Sequence, residues 1–200
     1  FIYTNSNSHE YRDQFFRELS KYKRISSYGH HLHNMHGQGI RTSWDSDWRE
    51  AKINIQTHHK FSVSIENSRY AGYTSEKVLT SILAGSIPLY WGNPQIGADI
   101  NLARIVNLHT FRGVADAVNF VKDLDADEEA CRAIIQQPML TACHQKNLQQ
   151  SKESLQEFVA NIFQVDKGLP TRRGTYSWAY EARVCRPHGS LLSRVVNRMR

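Results

Sequence analysis

Three short apolar runs constrain the fold of this chain most strongly: FSVSI at 61–65, IPLYW at 87–91 and RIVNL at 104–108. Each is too short for a buried helix. The segments that follow carry apolar residues at helical spacing instead, with Val78, Leu79, Ile82 and Leu83 in SEKVLTSILA and a similar pattern in GVADAVNFVKDL. Three or four apolar strands alternating with helices predict an α/β fold, a Rossmann-like open parallel sheet with helices on both faces. FIYTN extends the series as a first strand. HEYRDQFFRELSKY follows as a helix with Tyr11, Phe15, Phe16 and Leu19 on one side, and RISSY is a further strand candidate. Asn7 and Glu10 have the spacing of a capping box, which would open the first helix just after SNS. Gly85 is placed to end the helix SEKVLTSILA. Proline at the second position of IPLYW suits a strand's beginning or an edge. REAKINIQTHHK reads as a weak helix, and 127–165 as a helical C-terminal extension.

With 200 residues, 40% hydrophobic and 22% charged, the chain can bury a real core, so disorder is not the default expectation. No run reaches the length of a membrane span, and FIYTNSNSHEYR lacks the layout of a signal peptide. The first residue, Phe1, falls inside a strand pattern, so the chain is expected to be part of a longer protein. Cys131, Cys143 and Cys185 are an odd number without CxxC spacing, which fits a reducing compartment better than a disulfide framework. The net charge of +6 lies in the last thirty residues, which hold seven arginines and one acid, Glu181. A boundary is therefore expected near 170, between a domain at 1–170 and an Arg-rich tail at 171–200. SLLSRVVNRMR can form a short amphipathic helix. A solvated end is its simpler reading and peripheral contact with anionic lipid the sharper one. Nucleic acid is disfavoured, because no aromatic interleaving accompanies the charge.

The stretch ENSRYAGYTSEK, 66–77, concentrates polar groups between a buried strand and a buried helix. In open parallel sheets ligands sit beyond the carboxyl ends of the strands, and both SNSHEYR and this stretch fall there. If Thr74 or Ser75 caps the helix, its free N–H groups and dipole face the crevice and suit a phosphate. Lys77 adds a positive charge. Successive helical residues point about 100° apart, so Glu76 can turn aside and accept hydroxyl hydrogens from a ribose or a sugar ring. Asn67 and Tyr73 can donate to phosphate oxygens, Gly72 lets the loop approach closely, and Arg12 can clamp the same diphosphate. The plainer alternative is a dipole-favoured Glu76 beside a solvated Lys77. The residues by themselves reach a phosphate-containing ligand, with a nucleotide favoured.

These motifs resemble those of the α-1,3/1,4-fucosyltransferases, glycosyltransferase family ten. Glu66-Asn67-Ser68 through Tyr73-Thr74-Ser75-Glu76-Lys77 is similar to the family's E-N-[ST] and Y-[IV]-T-E-K signature. IPLYWGNPQIGADI, RIVNLHTF, YGHHLHN and SNSHEYRDQF resemble its I-P-[IV]-Y-W-G, F-[IV]-N-V-x-x-F, Y-G-x-C-x-H-N and arginine-bearing segments, together covering about 1–125. The resemblance implies the C-terminal, donor-binding half of a GT-B enzyme that moves L-fucose from GDP-fucose to a glycan acceptor of GlcNAc type with inversion. It implies no required cofactor or metal. The matching residues are Arg12 and Lys77, which neutralise the leaving diphosphate as the catalytic cations. Asn67 and Tyr73 line the phosphates, and Glu76 meets the ribose or sugar. The general base would lie in an N-terminal acceptor domain for which 200 residues have no room. Thr74 and Ser75 replace the family's Ile or Val and Thr, and His31 stands where it often has cysteine. Bacterial members are cytoplasmic or peripheral to the inner membrane, which the Arg-rich end favours here; a eukaryotic fragment would belong in the Golgi. The alternatives are a non-catalytic nucleotide-sugar-binding module, or a transferase using GDP-mannose or a UDP-sugar.

Two competing signals are weaker. WDSDW contains the DxD of metal-dependent transferases, yet it sits at a polar helix start, where aspartate serves as a cap. His30, His31, His33 and His36 can gather a metal, but no second ligand pair has structural-zinc spacing, so a role in ordering the loop is preferred. No Gly-x-Ser-x-Gly, P-loop or Cys/His dyad is present.

Overall fold

The computed structural model describes residues 1–4, 7–35 and 48–164. Among them five strands form one parallel sheet: β1 (Ile2–Tyr3), β2 (Ser26–Ser27), β3 (Phe61–Ile65), β4 (Ile87–Trp91) and β5 (Val106–Asn107), in the order β2-β1-β3-β4-β5. The helices are α1 (Glu10–Ser20), α2 (Trp48–Gln56), α3 (Glu76–Leu83), α4 (Val114–Ala126), α5 (Glu128–Ile135) and α6 (Ala142–Gln164). Each of the five strand candidates in the sequence supplies one strand, but β1, β2 and β5 are only two residues long. RIVNL shortens because single 3₁₀ turns at Leu102–Arg104 and Leu108–Thr110 take up its flanks. Two compact units divide the chain: Phe1–Gln149, which carries the sheet, and one beginning at Gln150, whose described part is the rest of α6. The boundary expected near 170 and the Arg-rich tail lie outside the described residues.

β3 and β4 run in register from Phe61 opposite Ile87 to Ile65 opposite Trp91, and all of β3 is buried. Side chains alternate across a strand, so the two faces differ. Phe61, Val63, Ile65, Ile87 and Leu89 join Phe15, Phe16 and Leu19 of α1 and Val114, Ala117, Val118 and Val121 of α4 in the main core. The other face presents Ser62 and Ser64. There Gln56 of α2 donates to Ser62 Oγ (2.9 Å) and Ser81 Oγ (3.2 Å), and the Ser64 and Ser81 hydroxyls are 2.7 Å apart. Small hydrogen-bonded side chains therefore cover this face, where α2 and α3 pack. Beside them Tyr90 packs with Val78, Ile96, Ile100 and Ile105 in a second, smaller core. The helices thus cover both faces, as the apolar runs require.

β4 is interior, yet Pro88 sits early in it, facing only Ser62 of β3; pairing with β5 begins at Leu89. The missing proline N–H is tolerated there for that reason. The expected Asn7 to Glu10 capping box does not form. The N-cap of α1 is His9, with no side-chain cap, and Asp13 collects the local donors instead.

α3 ends as its glycine predicts. Gly85 has φ +75°, its N–H donates to Ile82 O, and Ser86 N–H donates to Ser81 O, the paired bonds of a Schellman motif. Buried Arg104 reinforces this end by donating to Ser86 O (3.1 Å) and Ile82 O (3.5 Å). Placing a positive charge at the negative end of the helix dipole is favourable. A Cβ added at Gly85 meets nothing within 4 Å, so Gly85→Ala carries only backbone strain. Urea unfolding should show a loss of about 1–2 kcal/mol with an unchanged m-value.

Candidate functional site

Neighbouring connections diverge to opposite sides of the sheet between β1 and β3, where the strand order reverses. A crevice at such a switch point is the place where open α/β sheets take ligands. The segment after β1 leads into α1, and 66–75 leads from β3 into α3.

Arg12 bridges the two. Its side chain is 1% exposed, and Nη1 donates to Ile65 O (3.3 Å) and to Asn67 Oδ1 (3.1 Å), while Nη2 donates to Asn7 O. The guanidinium ties the loop after β1 to the end of β3. Burial pushes the neighbouring Tyr3 phenol up to about 12, against the opposing pull of the Arg12 charge. Asp13, one residue on, accepts from Ser8 Oγ (2.6 Å) and the His9 backbone (3.5 Å) and pairs with His31 Nε2 (2.8 Å). Burial alone would raise its pKa, but hydrogen bonds from Ser8, His31 and His9 outweigh that and hold the carboxyl below its usual range.

The expected helix start is present. Ser75 caps α3, accepting from Lys77 N–H. The geometry also assigns a role to a residue for which sequence reasoning gave none. Glu66 is fully buried and accepts from Ser75 N–H (2.8 Å), Ser75 Oγ (2.6 Å) and Lys77 Nζ (3.0 Å). Lys77 Nζ also donates to Ser75 Oγ at 3.2 Å. Lys77 is thus a fixed donor largely neutralised by Glu66, rather than a solvated free cation. Glu76 turns the other way, as helical geometry allows, and faces Lys52 Nζ of α2 at 3.6 Å. Burial tends to raise the Glu76 pKa, but Lys52 first, then its own backbone N–H and Lys77, bring it below the ordinary value. Asn67 and Tyr73 are exposed on the loop, and Asn67 Oδ1 accepts from Arg12.

Asn93, which sequence reasoning missed, anchors this loop. Its Oδ1 accepts from Gly72 N–H (3.0 Å), and its Nδ2 donates to Thr74 Oγ1 (3.0 Å) and Asp99 Oδ2 (3.2 Å). Gly72 has φ +79°, the left-handed conformation that the turn needs. A polar side chain directly after the strand and glycine of IPLYWG was the available signal. The same strand end carries Trp91, stacked with Tyr11 (4.7 Å, 13°) and His109 (5.6 Å, 24°). Burial lowers the His109 pKa, and Nε2 meets the Gly92 backbone.

Among the described residues no group of three or more His, Cys, Asp or Glu could hold a metal ion. His31 pairs with Asp13, and His33 Nδ1 meets Gly29 O at 3.1 Å, so both order their loop. His36 and the DSD of WDSDW lie outside the described residues. Cys131 and Cys143 are unbridged thiols, the first buried. No described helix is long and apolar enough to cross a membrane.

Residues 1–162 match the family model described as glycosyltransferase family 10 (fucosyltransferase), C-terminal. The chain is 26% identical over 130 residues to the alpha-(1,3)-fucosyltransferase FucT of Helicobacter pylori, covering 65% of this chain and 25% of that protein. It is 27% identical over 185 residues to the GDP-fucose protein O-fucosyltransferase 3 of Canis lupus familiaris, covering 81% and 38%. A crystal structure of an alpha1,3-fucosyltransferase with GDP-fucose shares the fold, with TM-score 0.61 and 24% identity over 71% of this chain and 39% of that one. The chain spans between 23% and 38% of the length of the curated relatives it matches.

Two outcomes are expected. A Cβ at Gly92 would lie 2.4 Å from Glu66 Cγ and 2.6 Å from its Cβ, so Gly92→Ala should displace the Glu66 carboxylate. Thermal melts should show a cost of about 1–3 kcal/mol, and an unshifted Tm would contradict the close approach. Asp13 is acidified in the folded state, so its stabilisation is complete above the ordinary aspartate pKa, about 4. That stabilisation is lost as pH falls below this value. Urea midpoints between pH 6 and 2.5 should therefore decline less steeply for Asp13→Asn, with Asp125, also depressed because hydrogen bonds from Lys23 and Lys60 outweigh its burial, supplying part of the remaining slope.

Proposed function

This chain belongs to glycosyltransferase family 10, and from that membership we propose that it is the donor-binding half of an inverting fucosyltransferase, taking GDP-fucose and serving a glycan acceptor bound by the other half. One observation carries the reading at the level of residues. Arg12 and Lys77 are bonded to three consecutive residues at the end of β3: Ile65 and Asn67 for Arg12, and Glu66 for Lys77. Both cations therefore converge on the switch point, beside the capped start of α3. In this proposal the diphosphate lies against that helix start, with Lys77 and Arg12 as its cationic partners and Asn67 and Tyr73 along its oxygens. Arg12 would exchange part of its contact with Asn7 or Asn67 for phosphate, a local adjustment of the kind ligand binding commonly brings. Glu76, turned away from Lys77, is left for hydroxyl groups.

The chemistry follows from charge. In a direct displacement at the anomeric carbon, the acceptor oxygen forms its bond as the C1–O bond to GDP breaks, through an oxocarbenium-like transition state. The electron pair leaves with the diphosphate. Donors fixed in advance around it lower the barrier more than they tighten the ground state, because its charge grows as the bond breaks. The ion pair with Glu66 holds the Lys77 side chain in place before substrate arrives, which removes an entropic cost from binding. The proton released by the acceptor goes to a base in the acceptor-binding half, and no base is assigned to this chain. A cytoplasmic or membrane-peripheral placement is part of this proposal, supported by the Arg-rich end, with the Golgi as the placement for a eukaryotic fragment.

Calorimetric titration of this chain with GDP, GDP-fucose, GDP-mannose and UDP tests the donor class. GDP and GDP-fucose should bind and UDP should not; preference for UDP, or no binding of any nucleotide, would sink the reading. In the complete enzyme, Lys77→Ala and Arg12→Ala should each lower kcat by about a hundredfold, well beyond their effect on GDP affinity. Equal losses in rate and affinity, in variants whose melts show them folded, would count against leaving-group stabilisation.

A further inference from the structure

Apart from Trp48, which closes WDSDW, α2 carries none of the sequence motifs discussed above, yet it sends a charge into the site. Its two buried residues are both polar and one helical turn apart: Lys52 and Gln56. Gln56 meets Ser62 and Ser81 within the packed layer. Lys52 lies at the end of that layer nearer the crevice, where its Nζ is 3.6 Å from Glu76 Oε1. The lysine side chain is 7% exposed and that of Glu76 41% exposed. The buried partner is thus the lysine, and the exposed one is the carboxylate at the first position of α3.

A lysine in this position is not required for packing. Ammonium burial carries a desolvation cost, and an apolar side chain of similar length would avoid it. Two parallel pairs result: Glu66 of β3 with Lys77, and Lys52 of α2 with Glu76. In each, a buried member comes from a neighbouring element and fixes one of the two adjacent side chains that open α3. Without Lys52, Glu76 would be free to swing toward Lys77, which already acts on it electrostatically.

We propose that Lys52 is a positioning residue. By holding Glu76 on the α2 side of the helix start, it keeps the carboxylate turned away from the diphosphate and presented to the vicinal hydroxyls of the nucleotide's ribose. The inference rests on the donor-site reading above and adds to it the residue that aims Glu76.

The test is titration of the full chain and its Lys52→Met variant with GDP and with 2′,3′-dideoxy-GDP. Binding of GDP by the unsubstituted chain checks the donor-site reading first, so its failure is seen separately. Lys52→Met should weaken GDP about tenfold, the worth of one hydrogen bond to a charged group, and leave the already weaker dideoxy nucleotide nearly unchanged. Its melting temperature should be unchanged or raised, because Glu76 remains half in water when the ammonium is gone. Lys52→Arg, which keeps the charge, should recover most of the GDP affinity. On a Glu76→Gln background, Lys52→Met should cost no further affinity. Equal losses for GDP and the dideoxy nucleotide would show a general electrostatic or folding effect and overturn the proposal. Unchanged GDP affinity would overturn it as well.

Discussion

The buried carboxylate of Glu66 is the interaction on which the site depends. It closes an apolar strand with a full charge that water cannot reach, and such a charge is tolerated only when its hydrogen-bonding capacity is met. Ser75 N–H, Ser75 Oγ and Lys77 Nζ meet it. In doing so they fix where α3 begins, which rotamer Lys77 takes and how the loop 67–74 must travel to return. Gly92, just past the end of the next strand, leaves the space that the glutamate occupies. A strand end, a helix cap and a lysine are thereby held together by one carboxylate.

Arg12 does for the other side of the crevice what Glu66 does for this one. It spans the gap between β1 and β3, where no backbone ladder continues past the strand ends, and substitutes side-chain donors for it. The sheet is narrow there: β1 pairs with β3 through a single register, Ile2 opposite Ser62. Such a short ladder leaves the loops beyond it to be placed by side chains. Arg12, Asp13 and Asn93 supply the anchors.

The two faces of the sheet divide the work of stability and of positioning. The face toward α1 and α4 is apolar and close-packed, the ordinary source of folding free energy. The face toward α2 and α3 is serine-lined and hydrogen-bonded, with Gln56, Ser62, Ser64 and Ser81 in contact. Directional bonds specify a helix's position along the sheet better than apolar contact does. That specificity suits the helix whose first turn forms one wall of the site.

Much of this was legible in the chain itself. The parallel sheet, the extents of β3 and β4, the start of α3 at Ser75 and its stop at Gly85 follow from apolar period, capping chemistry and the left-handed freedom of glycine, all local properties. Family membership was legible too, because ENSRYAGYTSEK and its companion motifs are local strings. The structure alone decided what depends on partners distant in sequence. The helix cap of α1 moved because Asp13 gathers Ser8, His9 and His31 from two segments. Lys77 became the neutralised partner of Glu66, eleven residues away, and Glu76 that of Lys52, on another helix. Asn93 became the anchor of a loop that ends nineteen residues before it. Residue types and periods set which elements form, because those preferences act within a few residues. Which charges meet is set by the packing of the sheet, because an ion pair's strength depends on distance and burial that only the folded chain supplies.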